Sequence, residues 1–210
     1  MRIGVLALQG DFREHKETLQ RLGADVVEVR LAKDLASIDG LIIPGGESTT
    51  MTRLLRQYGL MEPVRDRIKA GMPVLGTCAG AIVLAKEAGG LDQENLGLMD
   101  ISVRRNAFGR QVDSFEAELR FPSIGPQPLN AIFIRAPIIE AVHPPAEVLA
   151  TLEDGTIVAA KEGNMLALAF HPELTQDPRI HAYFLEMVES GAAAQASGPY
   201  LKKTEYKQCT

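Results

Sequence analysis

The feature of the sequence that most constrains the fold is the pentapeptide Gly-Thr-Cys-Ala-Gly at residues 76–80, which separates a short apolar run from a segment of helical character. A cysteine at such a strand-to-helix turn has the geometry of a nucleophile elbow, with Cys78 in place of the usual serine. The two glycines let the backbone turn sharply and let strand and helix pack closely. The start of the helix favours the thiolate and offers N–H donors for an oxyanion.

A buried structural cysteine is the alternative interpretation of this pentapeptide, because free cysteine often behaves as a small apolar residue. Short patterns of this kind also arise by chance. The catalytic interpretation therefore requires a base and an acid elsewhere in the chain.

The first half of the chain alternates between apolar runs of strand length and segments of helix length. This alternation is typical of an α/β fold, with an open, mostly parallel sheet and helices on both faces. The predicted strands are residues 2–8, 25–30, 40–43 and 73–75, and the predicted helices are residues 12–22, 48–58, 61–70 and 81–87.

The pattern of the second half changes, because residues 98–119 alternate and carry turn signals at 106–109 and 112–115. We expect antiparallel additions to the main sheet there. Further strands are predicted at residues 131–134, 148–152, 157–160 and 165–170, followed by a closing helix at 179–190. We predict one domain over residues 1–190 and a mobile tail over residues 191–210, which are small, polar and unpatterned.

Composition excludes several classes of function. The chain has 210 residues, enough for one domain, and its net charge of −5 argues against nucleic acid as a partner. We expect no membrane span, because no apolar run approaches the roughly 20 residues needed to cross a bilayer. There is no secretory signal pattern, and Cys209 lies in a polar segment far from Cys78, so we expect no structural disulfide and a cytoplasmic location.

Two further strand ends carry unusual residues, and ligands of α/β folds collect at the carboxyl ends of parallel strands. Residues 44–50 read Pro-Gly-Gly-Glu-Ser-Thr-Thr, and a plain turn with a helix cap is the alternative there. The other end is Phe-His-Pro-Glu at residues 170–173. Pro172 favours an extended His171, so His171 and Glu173 can project to the same side and face Cys78.

This arrangement predicts His171 as an acid–base group and Glu173 as the carboxylate that orients it. A core histidine satisfied by one carboxylate is the alternative. The other histidines, His15, His143 and His181, we assign to surface or helix-face positions. We expect no metal or cofactor, because the chain has no cysteine or histidine pairs at ligand spacing and no phosphate-binding glycine motif.

These three strand ends, in this order, resemble the class I (triad-type) glutamine amidotransferase family. Within that family the chain is similar to the branch that serves pyridoxal 5′-phosphate synthases, and the similarity extends to about Ser190. The stretches that carry it are residues 4–10, 13–15, 44–50, 105–116 and 133–137.

The resemblance implies a flavodoxin-like fold and an enzyme that hydrolyses L-glutamine to L-glutamate and ammonia. Cys78 would form a glutamyl thioester with His171 and Glu173 completing a triad, and the N–H groups of Gly46 and Ala79 would bind the oxyanion. The residues implied for glutamine binding are Gly46, Glu47, Ser48, Arg105, Ile134 and Arg135. Adjacent strand residues face opposite sides, so only one of Arg104 and Arg105 can face the pocket.

The resemblance also implies a protein partner, since ammonia released into water would be protonated and lost as a nucleophile. That partner is a pyridoxal 5′-phosphate synthase subunit, a β/α barrel in a ring assembly. The flexible glycine pair at residues 45–46 leads us to expect little activity from the isolated chain until the partner aligns this loop.

Three rival functions share parts of this pattern. A γ-glutamyl hydrolase would have the same elbow and the same histidine and glutamate. A glutaminase for another ammonia-using synthase would differ chiefly in residues 105–116. A non-catalytic protein with an oxidation-sensitive cysteine would not need His171 and Glu173 on one side.

Overall fold

The computed structural model describes residues 1–89, 94–105 and 114–196. Its strands are β1 (Arg2–Leu6), β2 (Asp25–Val29), β3 (Gly40–Ile43), β4 (Val74–Thr77), β5 (Ala85–Gly89), β6 (Met99–Arg104), β7 (Ser114–Leu119), β8 (Leu129–Ile134), β9 (Ile138–Val142), β10 (Glu147–Thr151), β11 (Ile157–Glu162) and β12 (Met165–Leu168). Its α-helices are α1 (Phe12–Arg21), α2 (Ser48–Gln57), α3 (Met61–Lys69), α4 (Ala79–Leu84) and α5 (Arg179–Ala196), and Ala32–Ser37 and Pro172–Leu174 form 3₁₀ helices.

The described strands form one large sheet and a separate hairpin. The large sheet has the order β2-β1-β3-β4-β12-β11-β9-β6-β5, with β10 also paired to β11, and β7 pairs with β8. The strands from β2 to β12 in this order are mutually parallel, whereas from β12 through β11 and β9 to β6 each strand is antiparallel to the one before it. This is the predicted α/β architecture with antiparallel additions.

Both faces of the parallel strands are apolar and covered. Along β3, Leu41 and Ile43 belong to one buried cluster and Ile42 to the other. The first cluster includes residues of α2, α3 and α4, and the second includes residues of α1 and α5. Because alternate side chains of a strand point to opposite faces, continuous apolar strands require helices on both sides.

Two predicted helix boundaries are wrong. Residues 85–87 belong to β5 rather than to the helix after Cys78, because the Asn95 amide donates to the carbonyls of Ile82 and Ala85 and ends the helix there. α5 continues past Gly191 to Ala196, since the three alanines that follow have the highest helix propensity.

Other features were not predicted or lie outside the described residues. β9 follows Pro137 closely and was not predicted. The turn signals at 106–109, and those at 112–113, lie outside the described residues, as do residues 197–210 of the predicted tail. The division into a domain over residues 1–190 and a mobile tail stays a prediction. Among the described helices, none has the length and apolar character that a bilayer crossing demands.

We predict that Gly80→Ala destabilises the fold far more than Gly89→Ala. A Cβ at Gly80 would lie 2.1 Å from the carbonyl oxygen of Ile43, whereas at Gly89 the nearest atom among the described residues is the Val103 oxygen at 3.9 Å. We expect the free energy of unfolding to fall by about 3 kcal/mol for Gly80→Ala and to change by no more than about 0.5 kcal/mol for Gly89→Ala. Urea denaturation measures both, and equal midpoints for the two variants would contradict the close packing of α4.

Candidate active site

Cys78 lies in the turn between β4 and α4, where the backbone takes a conformation that non-glycine residues rarely adopt. Its φ is 48° and its ψ is −102°, and strain of this kind costs about 1–3 kcal/mol. The Cys78 N–H donates to the Leu168 carbonyl of β12 at 2.8 Å. The turn therefore holds the sulfur at the carboxyl end of the parallel strands, with the residue only 6% exposed.

Two glycines hold this turn by letting β4 and α4 approach closely. A Cβ on Gly76 would lie 2.6 Å from the carbonyl carbon of Gly80, so neither position has room for a larger residue. α4 is only six residues long. It therefore contributes free N–H groups at its start rather than a large dipole.

His171 is brought beside Cys78 because β12 and β4 are adjacent parallel strands. Leu168 pairs with Thr77 in this register, so the segments after these two residues meet at the same edge of the sheet. The His171 N–H donates to the Ile132 carbonyl of β8 at 2.9 Å and fixes the backbone there. The imidazole and the Cys78 side chain line the same cavity.

Glu173 meets His171 through a local structure that differs from the predicted one. Pro172 begins a 3₁₀ turn, where its fixed φ suits the first helical position, instead of continuing an extended segment. The expectation that both side chains face Cys78 is therefore wrong. Glu173 Oε1 lies 2.7 Å from Nδ1 of His171, which leaves the other ring nitrogen, Nε2, for Cys78.

Burial and hydrogen bonding have opposite effects on the pKa of His171. Burial disfavours the charged imidazolium, but the hydrogen bonds with Cys78 and Glu173 outweigh it and raise the pKa of His171 to about 10. Burial raises the pKa of Glu173, and the hydrogen bond with His171 opposes this rise. The imidazole can therefore take a proton from the thiol. The resulting imidazolium would have Glu173 as acceptor at Nδ1 and the thiolate as acceptor at Nε2.

A cavity of about 440 Å³ opens onto Cys78 and His171. All six residues expected to bind glutamine line it, together with four that were not assigned to the pocket. The lining consists of Gln9, Asp11, Gly46, Glu47, Ser48, Cys78, Ile82, Arg105, Ile134, Arg135, His171 and Leu174. Of the expected site residues, Ala79 is buried in the elbow and Glu173 lies behind His171, so these two do not line the cavity.

The charged groups of the cavity are held in place by short contacts. Glu47 caps α2 by accepting from the N–H groups of Thr49 and Thr50, and it pairs with Arg105 at 2.9 Å. Burial opposes its charge, but the bonds from Thr50 and Thr49 outweigh burial and lower the pKa of Glu47 to about 2. Arg104 pairs instead with Glu140, so Arg105 is the member of the adjacent pair that faces the cavity.

Ser48 and Arg135 add two unusual features. The Ser48 hydroxyl is buried and has no hydrogen-bond partner among the described residues. A buried hydroxyl without a partner costs free energy, so it is available for a ligand. Arg135 has a φ of 42°, a strained conformation of the kind that clusters at functional sites.

Gln9 and Asp11 are the two polar cavity residues that sequence reasoning missed. Both follow β1, and the rule that ligands collect at carboxyl strand ends applies to them as well. The Gln9 side chain accepts from the Glu47 N–H at 3.0 Å, and Asp11 Oδ2 lies 3.5 Å from Nδ1 of His171. Gly46, with a φ of 144°, packs so tightly that a Cβ would lie 2.0 Å from the Gln9 amide nitrogen.

Asp11, His171 and Glu173 each bring one potential metal ligand within 4.8 Å of the others. Nδ1 of His171 and Oε1 of Glu173 are 2.7 Å apart. Two ligands bound tetrahedrally to a metal at about 2.0–2.2 Å would lie more than about 3 Å apart. The spacing fits a shared proton better than an ion, and the expectation of a site without metal stays a prediction.

Comparison with known proteins identifies the family of this chain. Residues 5–190 match the SNO glutamine amidotransferase family. The pyridoxal 5′-phosphate synthase subunit PdxT of Moorella thermoacetica is 58% identical over 188 residues, which cover 90% of this chain and 100% of that protein. The protein of the same name from Carboxydothermus hydrogenoformans is 57% identical and covers 91% of this chain and 100% of its own length.

A solved structure shows the same fold. The crystal structure of a glutamine amidotransferase, 51% identical in sequence, superimposes with a TM-score of 0.85 over 89% of this chain and 98% of that one. Since the family match and these relatives extend along nearly the whole chain, the protein belongs to the SNO glutamine amidotransferase family.

Proposed function

We propose that this protein is the glutamine-hydrolysing subunit of a pyridoxal 5′-phosphate synthase, releasing L-glutamate and passing ammonia to the synthase subunit. The observation that carries the proposal is the alignment of Cys78, His171 and Glu173 at the carboxyl ends of two adjacent strands, beside a cavity of amino-acid size. The relatives named PdxT support the choice of synthase.

The reaction begins when His171 takes the thiol proton and the sulfur of Cys78 attacks the side-chain amide carbon of glutamine. The carbonyl π electrons move to oxygen, and the N–H groups of Gly46 and Ala79 stabilise that oxyanion. The imidazolium then protonates the amide nitrogen, the C–N bond breaks, and ammonia leaves behind a glutamyl thioester. Water, deprotonated by His171, cleaves the thioester to glutamate and the free thiol.

The cavity offers complementary groups to the two charged ends of glutamine. The guanidinium groups of Arg105 and Arg135 attract the α-carboxylate, and the carboxylate of Glu47 accepts from the α-ammonium. The unpartnered Ser48 hydroxyl and the Ile134 backbone, whose carbonyl lies 4.0 Å from the sulfur, complete the contacts.

The partner, in this proposal, is a β/α-barrel synthase subunit in a ring assembly that consumes the ammonia. Cys78 must stay reduced to act, which favours the cytoplasm. The flexible glycine pair beside His171 supports dependence on the partner, because a Cβ at Gly45 would lie 2.3 Å from Cε1 of the imidazole. A small shift of residues 45–46 therefore changes the surroundings of the His171 ring and the position of the Gly46 N–H.

We predict that Cys78→Ala abolishes glutamate release by the complex with the cognate synthase. Loss of the nucleophile lowers kcat by about a thousandfold or more. Glutamate is measured for the wild type and the variant, each with and without synthase, and wild-type activity is expected to rise strongly when synthase is added. Activity that survives Cys78→Ala would refute the nucleophile, and activity that ignores the synthase would refute the dependence on the partner.

We predict that Arg105→Ala raises KM for glutamine by about tenfold or more, whereas Arg104→Ala leaves it unchanged. A tenfold change corresponds to about 1.4 kcal/mol, within the range of a hydrogen bond to a charged group. The two variants are matched, because each removes an arginine paired with a glutamate, and only Arg105 lines the cavity. Equal KM values would show that Arg105 does not bind the substrate.

We predict that His171→Ala slows alkylation of Cys78 by iodoacetamide at pH 7 by about tenfold, because the imidazolium stabilises the reactive thiolate. The measurement uses a Cys209→Ser background, so that Cys78 is the single cysteine. His143→Ala, which changes an exposed histidine, is the matched control. Unchanged alkylation in His171→Ala would favour a non-catalytic, oxidation-sensitive cysteine.

A further inference from the structure

A second pair of histidines is buried behind Glu173, on the side away from Cys78. His15 and His181 lie on faces of α1 and α5, as one of the two expectations had it, but both are 0% exposed, so the expected surface position is wrong. Nε2 of His15 lies 3.3 Å from Oε2 of Glu173, and Nδ1 of His15 lies 2.9 Å from Nε2 of His181. The four side chains His171, Glu173, His15 and His181 therefore form a continuous polar chain through the core.

At one end of this row of four polar side chains, Glu173 favours one tautomer of His15. A lone pair on Nε2 would face a carboxylate oxygen, whereas an N–H there donates to it. Thr77 Oγ1 lies 3.1 Å from the same nitrogen, and its hydroxyl can rotate to accept a share of this N–H. Nε2 of neutral His15 therefore carries the hydrogen, and Nδ1 is an acceptor.

The end at His181 selects the same tautomer. Nδ1 of His181 is buried and has no hydrogen-bond partner among the described residues. A buried N–H without a partner is rarer and more costly than an unused lone pair. Nδ1 therefore carries the lone pair, and Nε2–H of His181 donates to Nδ1 of His15.

Both histidines are neutral in this arrangement. Burial lowers the pKa of His15 well below its ordinary value, and the charges of His181 and His171 lower it further. Burial, followed by the charge of Arg21, lowers the pKa of His181 to about 4. A neutral pair can point its two N–H groups in one direction, toward Glu173.

We infer that His15, held by His181, is a positioning residue that donates to the second oxygen of Glu173 and keeps this carboxylate oriented and charged for His171. The inference rests on the proposed glutaminase function. Oε1 is hydrogen-bonded to His171, whereas Oε2 is buried with no hydrogen-bond partner among the described residues and lies 3.3 Å from Nε2 of His15. A hydrogen bond from this nitrogen would satisfy Oε2 and hold the carboxylate against rotation. The 3.3 Å contact is long, and such bonds tighten when substrate is bound.

Several titratable groups surround Glu173 on its two sides. His171 and Asp11 lie on its cavity side, and the repulsion from Asp11 favours the protonated form of Glu173. His15 and His181 lie behind it. The groups that border the cleft of about 720 Å³ beyond the 3₁₀ turn are Glu14, Glu17 and Arg21. Among these described groups, His15 places its ring nitrogen Nε2 3.3 Å from Oε2.

The test compares His15→Leu and His15→Gln in the complex with the synthase. Leucine removes the donor at similar size, whereas glutamine places an amide N–H near the former Nε2. In His15→Leu we expect kcat to fall by about tenfold, KM to change by less than about twofold, and the acidic limb of the kcat/KM profile to move up by about one pH unit, because Glu173 gains a proton more readily. His15→Gln should recover a large part of kcat and return the limb toward the wild-type position.

A purely structural role gives a different result. His15→Leu would then lower the melting temperature but leave the pH profile of the folded enzyme unchanged, and this would overturn the inference. His143→Gln, at an exposed position, is the control. An inactive wild-type complex would refute the proposed function instead, so the two failures are distinguishable.

A measurement on the unmutated full-length chain covers the case in which His15→Leu does not fold. Histidine labelled with ¹⁵N gives spectra of only four imidazoles, and the two-bond couplings identify which nitrogen carries the hydrogen. The inference requires His15 to be neutral with the hydrogen on Nε2. A hydrogen on Nδ1 instead, or a charged ring at pH 7, would overturn it.

Discussion

The strained backbone at Cys78 is the constraint on which the rest of the candidate site depends. Such a conformation persists only where the surroundings over-determine it. Here Gly76 and Gly80 let α4 lie directly on β4, and the Cys78 N–H is tied to Leu168 of the neighbouring strand. The same hydrogen bond fixes the separation of β4 and β12, and Cys78 and His171 follow the carboxyl ends of these two strands. Close packing, backbone strain and the placement of the proposed nucleophile and base therefore depend on the same contacts.

The parts of this structure that the sequence predicts are those with local signals. Continuous apolar strands between helical segments indicate a parallel sheet covered on both faces, and parallel strands place their carboxyl ends at one edge. Cys78, His171 and the Gly45–Gly46 loop could be grouped for this reason before any distance was known. Gln9 and Asp11 also follow the carboxyl end of a parallel strand, but no neighbouring residue in the sequence indicates a nucleophile, a base or an oxyanion loop.

The parts that the sequence does not predict depend on contacts between distant segments. Residues 85–87 have helical propensity, and their pairing with β6 overrides it. His15 is flanked by Glu14, Lys16 and Glu17, which makes its segment look exposed, although one face of α1 packs on the sheet. The geometry of Glu173 was mispredicted because Pro172 suits both an extended segment and the first position of a 3₁₀ turn.

The buried chain of polar groups behind His171 is consistent in only one protonation state. In the inferred arrangement, Nε2–H of His181 donates to neutral His15, and Nε2–H of His15 faces Oε2 of a charged Glu173 at 3.3 Å. If Glu173 were protonated or apolar, the N–H of His15 would lose this charged acceptor in the core. Burial alone favours the protonated form of Glu173. A donor behind the carboxylate favours the charged form and so opposes the effect of burial. In the proposed mechanism, His171 becomes positively charged when it takes up a proton, and a charged Glu173 stabilises it. We infer that His15 of α1 and His181 of α5 help Glu173 to stay charged.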